Sequence, residues 1–366
     1  MTEMAETKTE KSKKAATGSK SEKSGVEDGL EGFSKEELHS FLKEMLLYRR
    51  FEEKAEEAYA IGKIGGFCHL HIGQEAVALG FIGPLRDDDY VFTSYRDHTQ
   101  GLAKGLKPGP VMAELYGRDG GCSRGKGGSM HIFGAEEGFL GGHGIVGGQI
   151  PLAAGVGWAI RYREEDRVCL CYLGDAAVNQ GAFHEALNMS AVWKLPVIYV
   201  VENNEYGMGT HFERVSALPV VERAKGTGVP AHSIDGQDVI ATWRLMEELT
   251  EKARNGEGPQ YVDARTYRFK GHSMSDPVHG VYRTKDEVEE KKKSEDPIVV
   301  LRDRLFDADL LSEDELDALD EQVVEIVDEA VEFADNSPFP EDEELYTHTY
   351  AEINEHGRLF FDGRDR

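Results

Sequence analysis

Basic side chains are in short supply in this sequence. Its 366 residues hold 42 Lys and Arg against 68 Asp and Glu, a formal charge of −26 at pH 7, and the isoelectric point lies near 4.9. A surface of that sign argues against nucleic acid as a partner and is compatible with a salt-rich cytoplasm. Cysteine is nearly absent as well. Cys68, Cys122, Cys169 and Cys171 show neither zinc nor disulfide spacing, which fits a reducing compartment. Cys169 and Cys171 lie on one apolar run and read as small core residues. No apolar run approaches a membrane span, and residues 1–29 lack the apolar stretch of a signal peptide and are too acidic for a transit peptide. A soluble cytoplasmic protein with no membrane partner is expected. Residues 1–29 are mostly Lys, Glu, Ser and Thr, cannot bury a core, and are expected to be disordered. Beyond them no Pro, Gly or Ser-rich linker and no internal repeat divides the chain. One large α/β domain is expected over residues 30–310, with residues 311–366 as a helical extension packed on it or on a partner.

What is present is a pair of apolar runs that each end in a polar turn. Val168 to Leu173 and Val197 to Val201 read as fully buried strands without polar alternation. Between them, Phe183, Ala186, Leu187 and Ala191 recur at near-helical spacing, and Pro196 closes the connection. A strand-helix-strand crossover makes the two strands parallel neighbours with their carboxyl ends on one side, where open α/β sheets bind ligands. Gly174-Asp175 follows the first run and Asn203-Asn204 the second. An Asp carboxylate and an Asn carbonyl, with no His or Cys near them in sequence, suit an octahedral Mg2+ that keeps positions free for phosphate oxygens. A helix starting near Ala177 or Val178 would add its free amides for the same anion. The plainer alternative makes Asp175 a helix cap and Asn203-Asn204 a turn.

Two capping boxes mark helix starts. Ser34 with Glu37 opens an amphipathic helix carrying Leu38, Phe41, Leu42, Met45 and Leu46, with Phe33 placed to staple onto it. Ser312 with Glu315 opens a long acidic-faced helix with Leu316, Leu319, Val323, Ile326 and Ala330 on its apolar side. Gly142-His143-Gly144-Ile145-Val146-Gly147 matches the dinucleotide fingerprint, but the glycine-broken stretch before it offers no strand for that turn to follow. Phe67-Cys68-His69-Leu70-His71 brings two histidines to one face if extended, with no third metal ligand in view. Tyr95-Arg96-Asp97-His98 and the polar stretch Tyr267 to Pro277 complete the set.

Taken with its flanks, the segment GDAAVNQGAFHEALNMSAVWKLPVIYVVENNEYGMGT resembles the alpha subunit of the thiamine diphosphate-dependent 2-oxo acid dehydrogenases, most closely the pyruvate type. The resemblance runs from about Glu37 to about Leu305 and implies the thiamine diphosphate-binding fold, a doubly wound, mostly parallel sheet flanked by helices. It implies Mg2+ on Asp175, Asn204 and the Tyr206 carbonyl, with Gly174, Asp175, Ala176 and Ala177 around the diphosphate. The commonest form of the motif has glycine where Ala176 stands. It also implies the aminopyrimidine on main-chain groups of Gly144 and Val146, with His143 in place of the usual Asn. Tyr95, Arg96, Arg268 and His272 would contact the diphosphate, and His69 and His272 would handle protons and steer the acyl group within the ordinary histidine range. Ser273 matches a serine phosphorylated in eukaryotic relatives. In the two-chain branch of this family the Glu that protonates the aminopyrimidine lies on a beta subunit. An α2β2 heterotetramer is therefore expected, converting pyruvate to carbon dioxide and an acetyl group on a lipoyl-bearing dihydrolipoyl acyltransferase. Acetoin or another 2-oxo acid is the alternative substrate, and a non-catalytic assembly or regulatory paralogue is the reading from another class.

Overall fold

The computed structural model describes residues 29–347. All but the last residue of the tail expected to be disordered lies outside the described residues, as does the segment after Thr347. The strands are β1 (Tyr90–Ser94), β2 (Phe139–His143), β3 (Cys169–Gly174), β4 (Val197–Asn203), β5 (Tyr206–Gly207), β6 (Thr210–His211), β7 (Ala231–Asp235) and β8 (Gln260–Arg265). The helices are α1 (Lys35–Ala60), α2 (Glu75–Ile82), α3 (His98–Ala103), α4 (Pro108–Leu115), α5 (Gln149–Tyr162), α6 (Gly181–Trp193), α7 (Val220–Lys225), α8 (Val239–Arg254), α9 (Lys285–Ser294), α10 (Pro297–Asp307) and α11 (Glu313–Asn336).

Six strands form one sheet in the order β2-β1-β3-β4-β8-β7, and all its pairings are parallel. This is the expected α/β fold. Side chains alternate between two apolar faces. Leu170, Tyr172, Ile198 and Val200 pack towards α1, α2 and α8, while Cys169, Cys171, Tyr199 and Val201 pack towards α5, α6 and α7. Burial on both faces explains why β3 and β4 read as continuous apolar runs. Cys169 and Cys171 are buried and free, as core residues should be. The chain leaves β1 towards β2 and returns across it to β3, so the order reverses between β1 and β3. A crevice opens beyond their carboxyl ends at such a switch point.

Both capping boxes form: Ser34 and Ser312 each accept the amide three residues on, and Glu37 and Glu315 return the bond. Phe33 meets Phe41 and Trp243 edge-on. The apolar stripe of α11 joins the core beside α1 and α4, with Val327 buried there more deeply than Ile326.

Three local expectations are corrected. The residues after Asp175 make one tight 3-10 turn to Asn179, Gln180 is extended, and α6 starts only at Gly181, so no α-helix amides point back from Ala177. A strand does precede the glycine fingerprint. β2 runs into it because the edge of β1 supplies parallel partners, Thr93 to Gly142 and Ser94 to His143, and pairing outweighs glycine's low strand propensity. Residues 67–71 are not a strand, since their backbone bonds go elsewhere. The Cys68 carbonyl accepts from Met274 N and the Ile72 carbonyl from Phe269 N.

Helices α2 and α8 touch through a glycine. A Cβ on Gly80 would lie 1.9 Å from Thr242 Oγ1 and 2.7 Å from Thr242 Cβ. Gly80→Ala is expected to destabilise the chain by about 1–3 kcal/mol through overpacking. Gly155→Ala on α5, with nothing within 4 Å of the new methyl, is expected to stabilise it by roughly 0.5–1 kcal/mol. Denaturant unfolding of both variants checks the contrast.

Candidate active site

Beyond the strand ends lies a cavity of about 640 Å³. Every residue to which the family resemblance gives a catalytic, cofactor or metal role lines it: His69, Tyr95 and Arg96, Gly174 to Ala177 after β3, Asn204 and Tyr206 after β4, Gly144 and Val146 after β2, and Arg268 and His272 after β8, whereas Asn203, His71 and His143 do not. Parallel register brings them level. Gly174 pairs with Glu202, and Asn203 with Arg265, so each polar turn begins at the same height above the sheet.

Asp175 is 2 % exposed and its Oδ2 has no hydrogen-bond partner. Burial pushes its carboxyl up to about 7. An unpartnered buried carboxylate oxygen is costly unless a cation meets it. Asn204 is oriented at both ends, its Nδ2 donating to Gln74 Oε1 at 3.1 Å and its Oδ1 accepting from Tyr206 N at 3.3 Å. Glu205, between these two residues, has φ +69°. That left-handed setting costs about 1–2 kcal/mol for a non-glycine residue. It turns the chain back so that β5 packs on the turn that carries Asp175. A Cβ on Gly207 would lie 2.5 Å from Ala176 Cβ, so the absent side chain at Gly207 makes room for the methyl of Ala176. Among the described residues no cluster of three or more His, Cys, Asp or Glu could hold a metal. The oxygen set of Asp175, Asn204 and a main-chain carbonyl suits a hard divalent ion that keeps other ligands.

Two guanidiniums line the same cavity as this carboxylate. Arg96 is buried and donates to the carbonyls of Leu70 and His272, the latter at 2.9 Å. Arg268 is also buried, with bonds to the Lys270 carbonyl at 3.1 Å, the Met208 carbonyl at 3.3 Å and Tyr282 Oη at 3.0 Å. Neither bonds a carboxylate among the described residues. Burial lowers Arg96 from its ordinary range, and burial reinforced by Arg96 lowers Arg268 to about 10. Both stay cationic at neutral pH, and an anion between them would relieve the strain.

His69, Tyr95 and His272 form an aromatic wall with ring centroids 4.6 to 5.6 Å apart. Nδ1 of both histidines is buried without a partner. The ordinary titration expected for them is not what the cavity imposes. Burial, then Arg96, lowers His69 to about 2, and burial, Arg96 and Arg268 lower His272 to about 4. In this environment each is a neutral imidazole with one donor and one acceptor. His71 is separate from the wall: its Nε2 meets Glu202 Oε1 at 2.8 Å below the cavity.

Some lining residues escaped the sequence reading. Glu202 stands directly before Asn203-Asn204, and the level of the strand end was the available signal. Gln149, the first residue of α5, has an unpartnered Oε1 and no local sequence signal. Asp276 closes the GHSMSD stretch, its Oδ2 accepting from His272 N at 2.8 Å and Tyr282 Oη at 2.5 Å. Ser273, which the sequence did single out, is buried where it lines the cavity, its Oγ 3.1 Å from Ser275 Oγ.

A doubly wound sheet whose switch-point crevice holds a carboxylate oxygen without a partner and two buried arginines bonded only to carbonyls and a hydroxyl among the described residues defines an α/β protein with a strand-end crevice suited to a cation and an anion. Comparison with known proteins narrows this class. The family described as "Dehydrogenase E1 component" matches residues 43–343, and the chain belongs to that family. It is 51% identical over 316 residues to the pyruvate dehydrogenase E1 component subunit alpha of Rhizobium meliloti, covering 86% of this chain and 90% of that protein. Against the subunit of the same name from Rickettsia conorii it is 45% identical, over 87% of this chain and 97% of the other. The mitochondrial counterpart from Sminthopsis macroura is 43% identical, over 87% of this chain and 86% of the other.

Two tests follow from these charges. Inorganic pyrophosphate with Mg2+ should raise the melting temperature of the chain, and Arg268→Gln should abolish most of that rise; equal shifts in both would refute the arginine assignment. Asp97, beside the wall, is fully buried with its carboxyl raised by burial to about 8. Between pH 4 and 8 the folded chain therefore holds a proton that the unfolded chain has released, and stability falls as pH rises through that window. Asp97→Asn should flatten this part of the stability profile, measured by thermal unfolding from pH 5 to 8.

Proposed function

We propose that this chain is the alpha subunit of the decarboxylating component of a 2-oxo acid dehydrogenase complex, acting on pyruvate. The observation that carries this reading is the Asp175 oxygen left unpartnered in one cavity with Arg96 and Arg268, in a chain of the E1 family. Members of this family generally bind thiamine diphosphate with a metal ion, and the residues present fit both. Asp175, Asn204 and the Tyr206 carbonyl would hold Mg2+. Arg268, Arg96, Tyr95 and His272 would take the diphosphate, with the backbone from Gly174 to Ala177 beside it and main-chain groups of Gly144 and Val146 on the aminopyrimidine. When bound, the cofactor supplies the nucleophilic carbon and the electron sink that decarboxylation needs.

The chain's own part is to bind, orient and exclude water. Arg268, whose main-chain carbonyl accepts from Arg283 and whose guanidinium is bonded to Tyr282, offers a planar fork whose direction is fixed before the anion arrives. His69 and His272, kept neutral, offer one donor and one acceptor each to a carboxylate or carbonyl of a 2-oxo acid and to a proton in transit. A neutral wall suits this task, since a permanent cation there would compete with the diphosphate site for the acid.

An alpha subunit implies a beta partner. Leu152, Trp158, Tyr162, Met189, Val192 and Trp193 stand exposed along α5 and α6, with the two Trp rings 4.8 Å apart, and no Asp, Glu, Lys or Arg occurs from Gly138 to Ile160. Such a face on a chain of charge −26 suits a permanent subunit contact. We infer an α2β2 assembly with a lipoyl-bearing dihydrolipoyl acyltransferase as acceptor. Among the described residues no helix is long and apolar enough to cross a membrane.

Carbon dioxide release from pyruvate should require the chain, its beta subunit, thiamine diphosphate and Mg2+ together. Asp175→Ala should weaken cofactor binding by roughly a hundredfold or more, beyond the loss typical of an outer-shell partner. Silence with tight cofactor binding would point to acetoin or another 2-oxo acid, and silence without binding to a non-catalytic assembly subunit.

A further inference from the structure

Behind the aromatic wall lies a chain of buried polar contacts that does not reach the cavity. Glu52, on the inward side of α1, is almost fully buried. Its Oε1 accepts from His71 N at 2.9 Å and Thr99 Oγ1 at 3.4 Å, and its Oε2 from His98 Nδ1 at 2.9 Å. His98 Nε2 lies 2.8 Å from Ser129 Oγ and 3.1 Å from the Ser129 carbonyl. Ser129 Oγ in turn accepts from His69 N at 3.2 Å. One carboxylate thus holds the segment at two alternate amides, at His71 directly and at His69 through two side chains. The carbonyl between them, on Leu70, accepts from Arg96.

We propose that Glu52, His98 and Ser129 are positioning residues that fix the main chain of His69 and so set where its imidazole stands in the cavity. None of the three lines the cavity, so they cannot touch a substrate and must act through His69. The segment around His69 has no strand or helix of its own, so its geometry depends on these bonds. The carboxylate fixes which nitrogen of His98 donates: Nδ1 carries a proton to Glu52, and Nε2 is turned to Ser129. Burial works against both charges, yet each supports the other, holding His98 above and Glu52 below its ordinary range. Serine, histidine and glutamate in this order resemble a hydrolytic triad, but the buried hydroxyl is taken up by the His69 amide and faces no open space.

The proposal rests on the role given to His69 above and is tested in the reconstituted α/β holoenzyme by a double-mutant cycle between Ser129→Ala and His69→Ala. Ser129→Ala is expected to leave cofactor affinity and the KM for pyruvate within about twofold while lowering kcat by about ten- to a hundredfold, the scale of a small misplacement. In the His69→Ala background the same change is expected to have no further effect. Losses that multiply in the double variant, or an unchanged kcat in Ser129→Ala, would overturn the relay while leaving the decarboxylase reading intact. An inactive wild-type holoenzyme would overturn that reading and the relay with it. If Ser129→Ala does not assemble, His98→Gln takes its place in the cycle with the same outcomes.

Discussion

Two arginines buried without a carboxylate govern the rest of the site. Taking a guanidinium out of water costs several kcal/mol, even after the protein relaxes around it. Here that cost is offset by carbonyl oxygens drawn from otherwise unrelated segments: Leu70 and His272 for Arg96, Lys270 and Met208 for Arg268. Each arginine therefore gathers loops by their main chains. Arg283 continues the pattern by donating to the carbonyls of Arg268, Lys270 and Val278. The loops after β8, after β4 and before α2 are tied to one another through these cations as well as by the apolar packing of Leu70, Ile72, Tyr267 and Phe269. Carbonyl dipoles neutralise no charge, so the frame keeps an unspent attraction for an anion.

The sign of the whole chain would oppose that attraction if its carboxylates were placed at random. They are not. Among those at the cavity, Glu202 is engaged through Oε1 by His71 and Gln100, and Asp276 by His272 N and Tyr282. Asp175 is the lining carboxylate with a buried, unpartnered oxygen, and it stands where a divalent cation would turn its charge from a liability into an anchor. Much of the acidic excess lies on α11, where Lys35, Arg50 and Lys63 on or beside α1 meet Glu315, Asp320 and Asp335. A net charge of −26 and a crevice lined by buried arginines coexist because screening in water separates the outer surface from the dry interior.

How far the sequence reveals this follows from where each signal resides. β3, β4 and the turns after them are legible because a parallel strand writes its burial as an apolar run, and the residues that follow it arrive together at the crevice. Both capping boxes are legible because their bonds close within one turn. Asp175 and Asn204 need only chain order, whereas Tyr206, Tyr95, Arg96, Arg268 and His272 are reached through family resemblance. β2 was missed because its partner, β1, is remote in sequence and its glycines argue against a strand. Gly142 is nonetheless required there, since a Cβ would lie 1.7 Å from Asp97 Oδ2. The depressed histidines were illegible for a related reason: burial and the approach of Arg96 exist only once the loops are assembled. Glu52, His98 and Ser129 lie on three separate elements, and no local pattern joins them.

The cavity also bears on why this domain should not act alone. Phe67, Val146 and Met208 line it yet remain exposed, and Ile145 stands exposed beside them. An apolar rim around charged groups is poorly placed in water, because solvent entering past it would screen the arginines and hydrate Asp175. The same protein covers one apolar face of its sheet with α1, α2 and α8, so the uncovered rim is not a general feature of the fold. It continues into the charge-free stretch from Gly138 to Ile160 and the aromatic face of α5 and α6. A second chain seated across both would complete the low-dielectric enclosure. Subunit assembly and the electrostatics of the crevice are then one requirement: the arginines and Asp175 interact at full strength only when the rim is covered.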